Sequence, residues 1–121
     1  MKEIKLKAWD KELKSMSKGM LLSYWLNHAI DLGDSTFKTI TWLLFTGYKD
    51  ENKKEVYEGD IVKGNDFYGV VKWINFSWQV HRLDADGEVE EYFIINDYKF
   101  EVIGNIYQNI DILKKIVLPH P

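Results

Sequence analysis

The feature of the sequence that most invites a chemical interpretation is a short run of aromatic and basic residues. It comprises Lys72, Trp73, Trp78 and Arg82, in a stretch (residues 61–83) with three basic residues against one acidic residue. Proteins that bind single-stranded nucleic acid stack the bases on exposed aromatic rings flanked by basic side chains. The same rings can instead fill a protein core or form a protein-binding or oligomer surface, since Trp is highly buried on average. The sequence leaves these three interpretations open.

No pattern of residues indicates a catalytic or metal site. The chain has no Cys, which excludes disulfides, thiolate ligands and cysteine nucleophiles. Its three histidines, His28, His81 and His120, lack the spacing of zinc ligands. Phosphate-binding loops, serine nucleophile elbows and zinc-protease helices have no matching motif in the sequence. We therefore expect no catalytic residue, no metal, no cofactor and no enzymatic activity.

Two groups of acidic residues have simpler explanations than chemistry. Residues 84–88 (DADGE) are similar to the start of a calcium loop, but the glycine comes fourth rather than sixth, and Ile95 occupies the twelfth position instead of Glu. The segment is predicted to be a hairpin turn followed by a solvated strand face. Glu55, Glu58 and Asp60 could act as paired carboxylates only in a buried environment, which the sequence does not indicate.

The length and the charge of the chain limit the classes of protein to which it can belong. The 121 residues correspond to one domain of ordinary globular composition, 45% hydrophobic and 29% charged. The net charge of −3 argues against non-specific nucleic-acid binding, although residues 1–20 form a basic arm with six Lys against three acidic residues. The N-terminus lacks the apolar run of a signal peptide, and no apolar stretch is long enough to span a bilayer. We expect a cytoplasmic protein that does not bind membranes.

Segments rich in alternating, β-branched and aromatic residues, separated by turn residues, predict a mainly β fold. The alternation of apolar side chains shifts by one residue at Asn75. This shift indicates a tight hairpin between residues 67–73 and 77–83, or alternatively one long bulged strand. A helix is expected at 20–32, although the aromatic residues of this segment would also suit a strand. A second helix is expected at 109–117, with Asn109 as N-cap. The other expected elements are strands at 2–9, 36–46, 89–95 and 98–107, a strand after the Gly59-Asp60 turn, a loop at 47–54 and a turn at 84–87. Strands this short and this closely spaced suggest a small, strongly bent antiparallel barrel.

Three segments of the chain together form a recognisable pattern. They are residues 4–11 (IKLKAWDK), residues 45–62 with the motifs FTGYKD and KEVYEGDIV, and residues 100–109 (FEVIGNIYQN). In this order they resemble the opening, central and closing motifs of the YopX-like family of small phage and prophage proteins. The resemblance covers most of the chain, so residues 1–121 are interpreted as a single YopX-like domain.

The resemblance implies an all-β fold with an SH3-like barrel core and a phage or prophage origin, but no reaction, cofactor or catalytic residue. Two features depart from the family pattern: Lys53 stands where the family often has a glycine, and residues 20–41 match no part of it. If that glycine makes a tight turn, we expect the loop around Lys53 to be shaped somewhat differently. The matching residues to which we assign a structural role are Trp9, Thr46, Gly47, Lys49, Asp50, Tyr57, Glu58, Gly59, Asp60, Gly104 and Asn105.

These observations predict a mainly β protein, a small SH3-like antiparallel barrel with one or two short helices. The leading functional hypothesis is a non-catalytic interaction module that self-associates or binds a phage or host protein. Aromatic residues make up 15% of the chain, and so many rings should leave an apolar patch uncovered. The alternative hypothesis is a nucleic-acid-binding barrel that uses the basic N-terminal arm and Lys72, Trp73, Trp78 and Arg82.

Overall fold

The computed structural model describes residues 4–28, 39–65, 67–83, 89–94 and 99–117. The chain divides into two compact units, Met1–Phe45 and Thr46–Pro121, each with its own strands and buried side chains. The single domain expected over residues 1–121 stays a prediction. The turn predicted at 84–87 lies outside the described residues, as do residues 29–32 of the predicted helix and residues 2–3, 36–38, 95 and 98 of the predicted strands.

The first unit is organised by its first strand. Its elements are β1 (Lys5–Asp10), β2 (Ser15–Met16), β3 (Met20–Leu21), α1, described over residues 22–28, and the beginning of β4 (Ile40–Lys49). β1 pairs antiparallel with β2, with β3 and with residues 40–44 of β4. Leu43, Ala8 and Trp9 are buried in this unit.

The helix predicted at 20–32 begins two residues later than expected. Met20 and Leu21 pair with Leu6 and Lys5 of β1, and helical geometry starts at residue 22. The indole N–H of Trp25 donates a hydrogen bond to the Leu6 carbonyl oxygen (3.0 Å), which fastens α1 to the same strand. Pairing with a neighbouring strand therefore overrides the helical pattern at the first two positions.

The second unit contains a five-stranded antiparallel sheet. Its elements are the end of β4, then β5 (Glu55–Tyr57), β6 (Asp60–Lys63), β7 (Tyr68–Ile74), β8 (Ser77–Leu83), β9 (Val89–Ile94), β10 (Glu101–Asn105) and α2 (Ile110–Val117). The strand order in the sheet is β10-β6-β7-β8-β9, and β5 lies beside β4. Val56, Val62, Val71, Val80 and Phe100 form the buried core, with Phe67, Trp78 and Val102 packed against it.

The expected fold class is confirmed. The described residues are mainly β, with two helical segments and a curled five-stranded antiparallel sheet in the second unit. No helix in the described part of the chain has the length and apolar character needed to cross a membrane.

The hairpin predicted around Asn75 is present, and the alternative of one long bulged strand is wrong. β7 and β8 pair in a regular register from Gly69↔Arg82 to Ile74↔Ser77, which leaves a two-residue turn. Both turn residues have positive φ, 52° at Asn75 and 62° at Phe76. Positive φ at both central positions is the signature of a type I′ turn, whose twist matches that of the flanking strands.

The last strand is shorter than the predicted 98–107, because the chain turns after Asn105. The Asn105 side-chain oxygen accepts hydrogen bonds from the backbone N–H groups of Tyr107 (3.0 Å) and Gln108 (2.8 Å). Asn109 directly precedes α2, as predicted for an N-cap. Its side-chain oxygen accepts from the backbone N–H of Asn105 (3.0 Å), so it connects the end of β10 to the start of α2.

The loop predicted at 47–54 is also shorter than expected, because β4 continues to Lys49. The turn that follows contains Lys53 with a φ of 64°, in the left-handed region that favours glycine. The lysine therefore adopts a backbone conformation typical of glycine. The expectation that the loop differs in shape from that of the family stays a prediction.

Replacing Lys53 by glycine should stabilise the protein. The change removes about 1–2 kcal/mol of left-handed strain and adds about 0.5–1 kcal/mol of chain entropy to the unfolded state, so we expect a net gain of about 0.5–1 kcal/mol. Urea unfolding should show a higher midpoint at an unchanged slope. Lys54→Gly, at a position without positive φ, is the control and should lower the midpoint.

Candidate functional site

The most exposed large hydrophobic side chain among the described residues is at the turn between β7 and β8. Phe76 has an exposed fraction of 93%, next to Ile74 at 37% and Trp73 at 48%. Trp73 and Trp78 are direct cross-strand partners, with ring centroids 4.9 Å apart and ring planes inclined by 60°. We call residues 73–78 the aromatic hairpin tip. It is an apolar surface at the end of a rigid two-stranded element.

The strand register separates the four residues of the predicted binding set. Trp73 and Trp78 lie on the same face of the hairpin as the buried pair Val71 and Val80, because side chains alternate along a strand. Lys72 lies on the opposite face. Burial of the imidazole lowers the pKa of His81, and the positive charge of Lys72 lowers it further. The structure thus brings the two Trp rings together and directs Lys72 away from them.

Arg82 shares the face of Trp78 but is four residues further along β8. At about 3.4 Å per residue, the two positions are about 13 Å apart along the strand. Arg82 is opposite Gly69, at the far end of the hairpin from the turn. The two basic side chains therefore do not flank the Trp pair. Phe76 lies at the adjoining turn, and Ile74 shares the face of Lys72.

Phe76 was not among the predicted site residues, although a local signal pointed to it. A type I′ turn strongly prefers Asn-Gly, and here the glycine position holds Phe. A large residue with positive φ is a conformational outlier that costs about 1–2 kcal/mol. The ring recovers none of this by burial within the described structure, since it is almost fully exposed. Strain of this kind is characteristic of functional positions.

Among the residues that carry the family resemblance, Asp50 accepts three backbone hydrogen bonds with its side chain. Its carboxylate is buried, with an exposed fraction of 7% for the residue. One oxygen accepts from the backbone N–H groups of Asn52 (2.9 Å) and Lys54 (2.8 Å), and the other accepts from that of Val102 (2.9 Å). Asp50 thus shapes the β4–β5 turn and fastens it to β10.

The carboxylates considered as a possible acid-base pair are bound to a buried tyrosine. An Asp60 side-chain oxygen accepts from the Tyr57 backbone N–H (2.8 Å), and the Tyr57 hydroxyl donates to a Glu55 oxygen (3.2 Å). Burial, followed by the negative charges of Glu55 and Asp60, raises the pKa of Tyr57. The hydroxyl therefore stays protonated at neutral pH and serves as a hydrogen-bond donor. Burial raises the pKa of Tyr107, and the negative charge of Glu58 raises it further.

Two other residues of the signature shape β4. The Thr46 hydroxyl donates to the Val56 carbonyl oxygen (2.8 Å) and accepts from the Tyr48 backbone N–H (3.1 Å). Gly47, next along the chain, has a φ of 87°. Lys49 is exposed at the end of the strand, and Trp9 is buried in the first unit.

Gly59 occupies a position that only glycine fits. Its φ is 86°, and a Cβ added there would lie 2.9 Å from a ring carbon of Tyr107. Its N–H donates to the Val71 carbonyl oxygen, and its own carbonyl oxygen accepts from the Ile106 N–H, both at 2.9 Å. Gly104 is similarly crowded, by the side chain of Asn109. Gly59 thus joins three segments of the second unit.

Gly59→Ala should destabilise the protein by about 2 kcal/mol, because the left-handed strain and the close contact with Tyr107 add together. Thermal or urea unfolding measures the loss. Gly64→Ala is not a suitable control, because Phe67 crowds that position too. The better comparison is Tyr107→Leu with and without Gly59→Ala. Removing the ring should recover part of the loss, and equal losses in both backgrounds would contradict the contact.

In the part of the chain that the structure describes, no three His, Asp or Glu side chains come together as a metal site. The Tyr24 carbonyl oxygen is 2.7 Å from Nδ1 of His28, and the Tyr24 ring stacks on the imidazole. His81 is hydrogen-bonded to Gln79 (3.1 Å). His120 is outside the described residues.

Comparison with known families assigns the chain. The sequence profile of the family described as YopX protein matches residues 5–114. The chain belongs to the YopX family. The match begins with β1 and reaches into α2, so it includes all ten strands in the described part of this YopX protein.

Among solved structures, this YopX-family chain is similar to protein EF1440 from Enterococcus faecalis. The two share 19% sequence identity and a TM-score of 0.46, over 91% of this chain and 97% of the other. No curated protein matches the sequence.

Proposed function

We propose that this YopX-family protein is a non-catalytic interaction module that self-associates or binds another protein through its aromatic hairpin tip. The observation that carries the proposal is Phe76, which is strained and almost fully exposed. An intramolecular role would favour glycine at this position, because glycine relieves the strain and no buried contact would be lost. In the isolated chain the Phe76 ring has no buried contact, whereas a partner protein would bury it.

The composition of the tip supports protein binding. Trp and Phe are enriched in the cores of protein interfaces, and Trp is frequent among the residues that contribute most to binding. Asp50, Tyr57 and Asp60 are engaged in hydrogen bonds that hold the second unit together, which supports a structural role for the signature. We place the protein in the cytoplasm of a bacterial host, as a phage or prophage product, on the basis of the family resemblance.

A photo-crosslinking amino acid at position 76 tests the proposal. We expect p-benzoylphenylalanine there to give a covalent protein adduct of defined mass in cells, and the adduct should disappear when Trp73 is changed to Gln. The matched control places the same group at Tyr68, about 20 Å away at the other end of β7. Absence of an adduct at 76, or equal adducts at both positions, would refute the proposal.

Oligonucleotides should leave the intrinsic Trp fluorescence unchanged at both low and physiological salt. Lys72 and Arg82 do not flank the Trp pair, so a base stacked on Trp73 would lack nearby phosphate contacts. The measurement is a fluorescence titration with single- and double-stranded DNA and RNA. Saturable quenching that weakens with salt, and is lost in Trp73→Gln, would instead establish nucleic-acid binding.

A further inference from the structure

We infer that a series of side-chain hydrogen bonds along β8 couples the protonation of His81 to the turn of the aromatic hairpin tip. The inference rests on the proposed function, because it gives the same surface a means of regulation. The hydrogen bonds lead from the His81 imidazole through the Gln79 amide to the carbonyl oxygen of Ile74, the residue directly before the turn. The turn that presents Phe76 therefore responds to the charge of a ring further along the strand.

The side chains of His81, Gln79 and Ser77, which share one face of β8, form this series together with the Ile74 carbonyl group. His81 Nε2 lies 3.1 Å from Oε1 of Gln79. The Gln79 amide nitrogen donates to the Ile74 carbonyl oxygen (3.3 Å) and to the Ser77 hydroxyl oxygen (3.1 Å). The Ser77 hydroxyl donates to the same carbonyl oxygen (3.2 Å). We call this set of contacts the Gln79 relay.

The acceptor at the end of the Gln79 relay fixes the direction of its hydrogen bonds. A carbonyl oxygen can only accept, so the Gln79 atom that faces Ile74 must be the amide nitrogen, and the atom that faces His81 must be the oxygen. His81 therefore donates from Nε2 in its neutral form as well as in its charged form. Gln79 is buried, with an exposed fraction of 8%, which limits competition from water. Protonation thus adds charge to the ring without breaking the relay.

Protonation of His81 should strengthen each step of the Gln79 relay. A positively charged donor makes a shorter and stronger hydrogen bond than a neutral one. The Gln79 amide, polarised by this bond, then donates more strongly to Ile74, because consecutive hydrogen bonds reinforce one another. The Ile74 carbonyl belongs to the same peptide unit as the N–H of Asn75, the first turn residue with positive φ. The turn is therefore held more firmly when His81 is charged.

The surroundings of His81 set the pH range in which this happens. Desolvation of the imidazole, followed by the positive charge of Lys72, holds the pKa of His81 below its ordinary value. By register, the ionisable residues of the neighbouring strands on the face of His81 are Tyr68 and Lys72 of β7 and Tyr92 of β9. Of these, Lys72 carries the charge that acts on His81. Arg82 and Glu91, which pair with each other, lie on the opposite face. His81 is therefore neutral at pH 7 and becomes charged in mildly acidic solution.

Proton–nitrogen correlation NMR between about pH 8 and about pH 5 tests the inference. The Cε1 proton of His81 and the amide nitrogen of Asn75 should titrate with the same midpoint, because they report on the two ends of one relay. Lys72→Gln, at an exposed position, should raise both midpoints equally, since it removes the charge that disfavours the imidazolium. An Asn75 resonance that does not shift, or that shifts with a midpoint different from that of His81, would overturn the inference.

Gln79→Met distinguishes the Gln79 relay from a direct effect of the charge on His81. Methionine fills a similar volume but lacks the amide that connects the two ends. His81 should still titrate, whereas the pH-dependent shift of Asn75 should become about threefold smaller or less. The matched control, Gln108→Met, changes an exposed glutamine outside the hairpin and should leave both titrations unchanged. A full Asn75 shift in Gln79→Met would show that the relay does not carry the coupling.

The NMR titrations use the protein alone, so they are independent of the crosslinking test at position 76. If the coupling is absent but the adduct forms, the relay is refuted and the proposed function stands. If the coupling is present but no adduct forms, the relay is supported and the proposed function is refuted.

Discussion

Asp50→Ala should destabilise the protein by about 3–5 kcal/mol, a large part of the 5–15 kcal/mol typical of a small protein. The substitution removes the acceptor of three backbone hydrogen bonds at once. A donor that loses its partner in a buried or partly buried place costs about 1–3 kcal/mol. We expect urea unfolding to show a strongly lowered midpoint and β5 and β10 to lose amide protection first.

Two variants make the Asp50 result specific. Asp50→Asn keeps one acceptor oxygen and the same shape, so its loss should be about half that of Asp50→Ala. Glu51→Ala changes an exposed neighbour and should alter stability by less than about 0.5 kcal/mol. If all three variants had the same stability, the hydrogen bonds of the Asp50 carboxylate would contribute nothing measurable.

Phe76→Gly should change stability and association in opposite directions. Stability should rise by about 1 kcal/mol, because Asn-Gly relieves the strain of the type I′ turn at a smaller cost in chain entropy. Association should fall, because the ring that the partner contacts is gone. Urea unfolding of dilute protein measures the first effect, and sedimentation equilibrium over a range of protein concentrations measures self-association.

A serine at the same position separates the ring from the backbone. Phe76→Ser removes the aromatic contact but keeps a side chain with positive φ, so it should weaken association without the stability gain of Phe76→Gly. A loss of stability in both variants would indicate that the ring packs within its own chain. That result would contradict the functional role assigned to it.

The hairpin could be predicted because the sequence contains its physical cause. The apolar phase changes by one residue at Asn75, and a two-residue turn is the simplest backbone that reverses the chain there. The same pattern also shows which face of the strand each candidate residue occupies. Lys72 and Trp73 are adjacent, so they must lie on opposite faces. The four predicted binding residues are close in the sequence, but this alternation separates Lys72 from the two Trp rings.

Other features depend on contacts that no local pattern reveals. Met20 and Leu21 lie in the segment predicted to be helical but pair with Leu6 and Lys5 of β1. Lys53 adopts a positive φ because the backbone N–H groups on both sides of it, those of Asn52 and Lys54, donate hydrogen bonds to the Asp50 carboxylate and fix the turn. In both cases a distant or backbone partner outweighs the preference of the residue itself.

The hydrogen bond from Val102 to Asp50 spans 52 positions of the chain and has a kinetic consequence. A contact of this separation closes a long loop, so it forms late in folding. During synthesis, β4 and β5 leave the ribosome well before β10, and until then the Asp50 carboxylate has only its local donors. Loss of Asp50 should therefore accelerate unfolding far more than it slows folding. The lifetime of the native protein, rather than the speed with which it forms, is what this carboxylate controls.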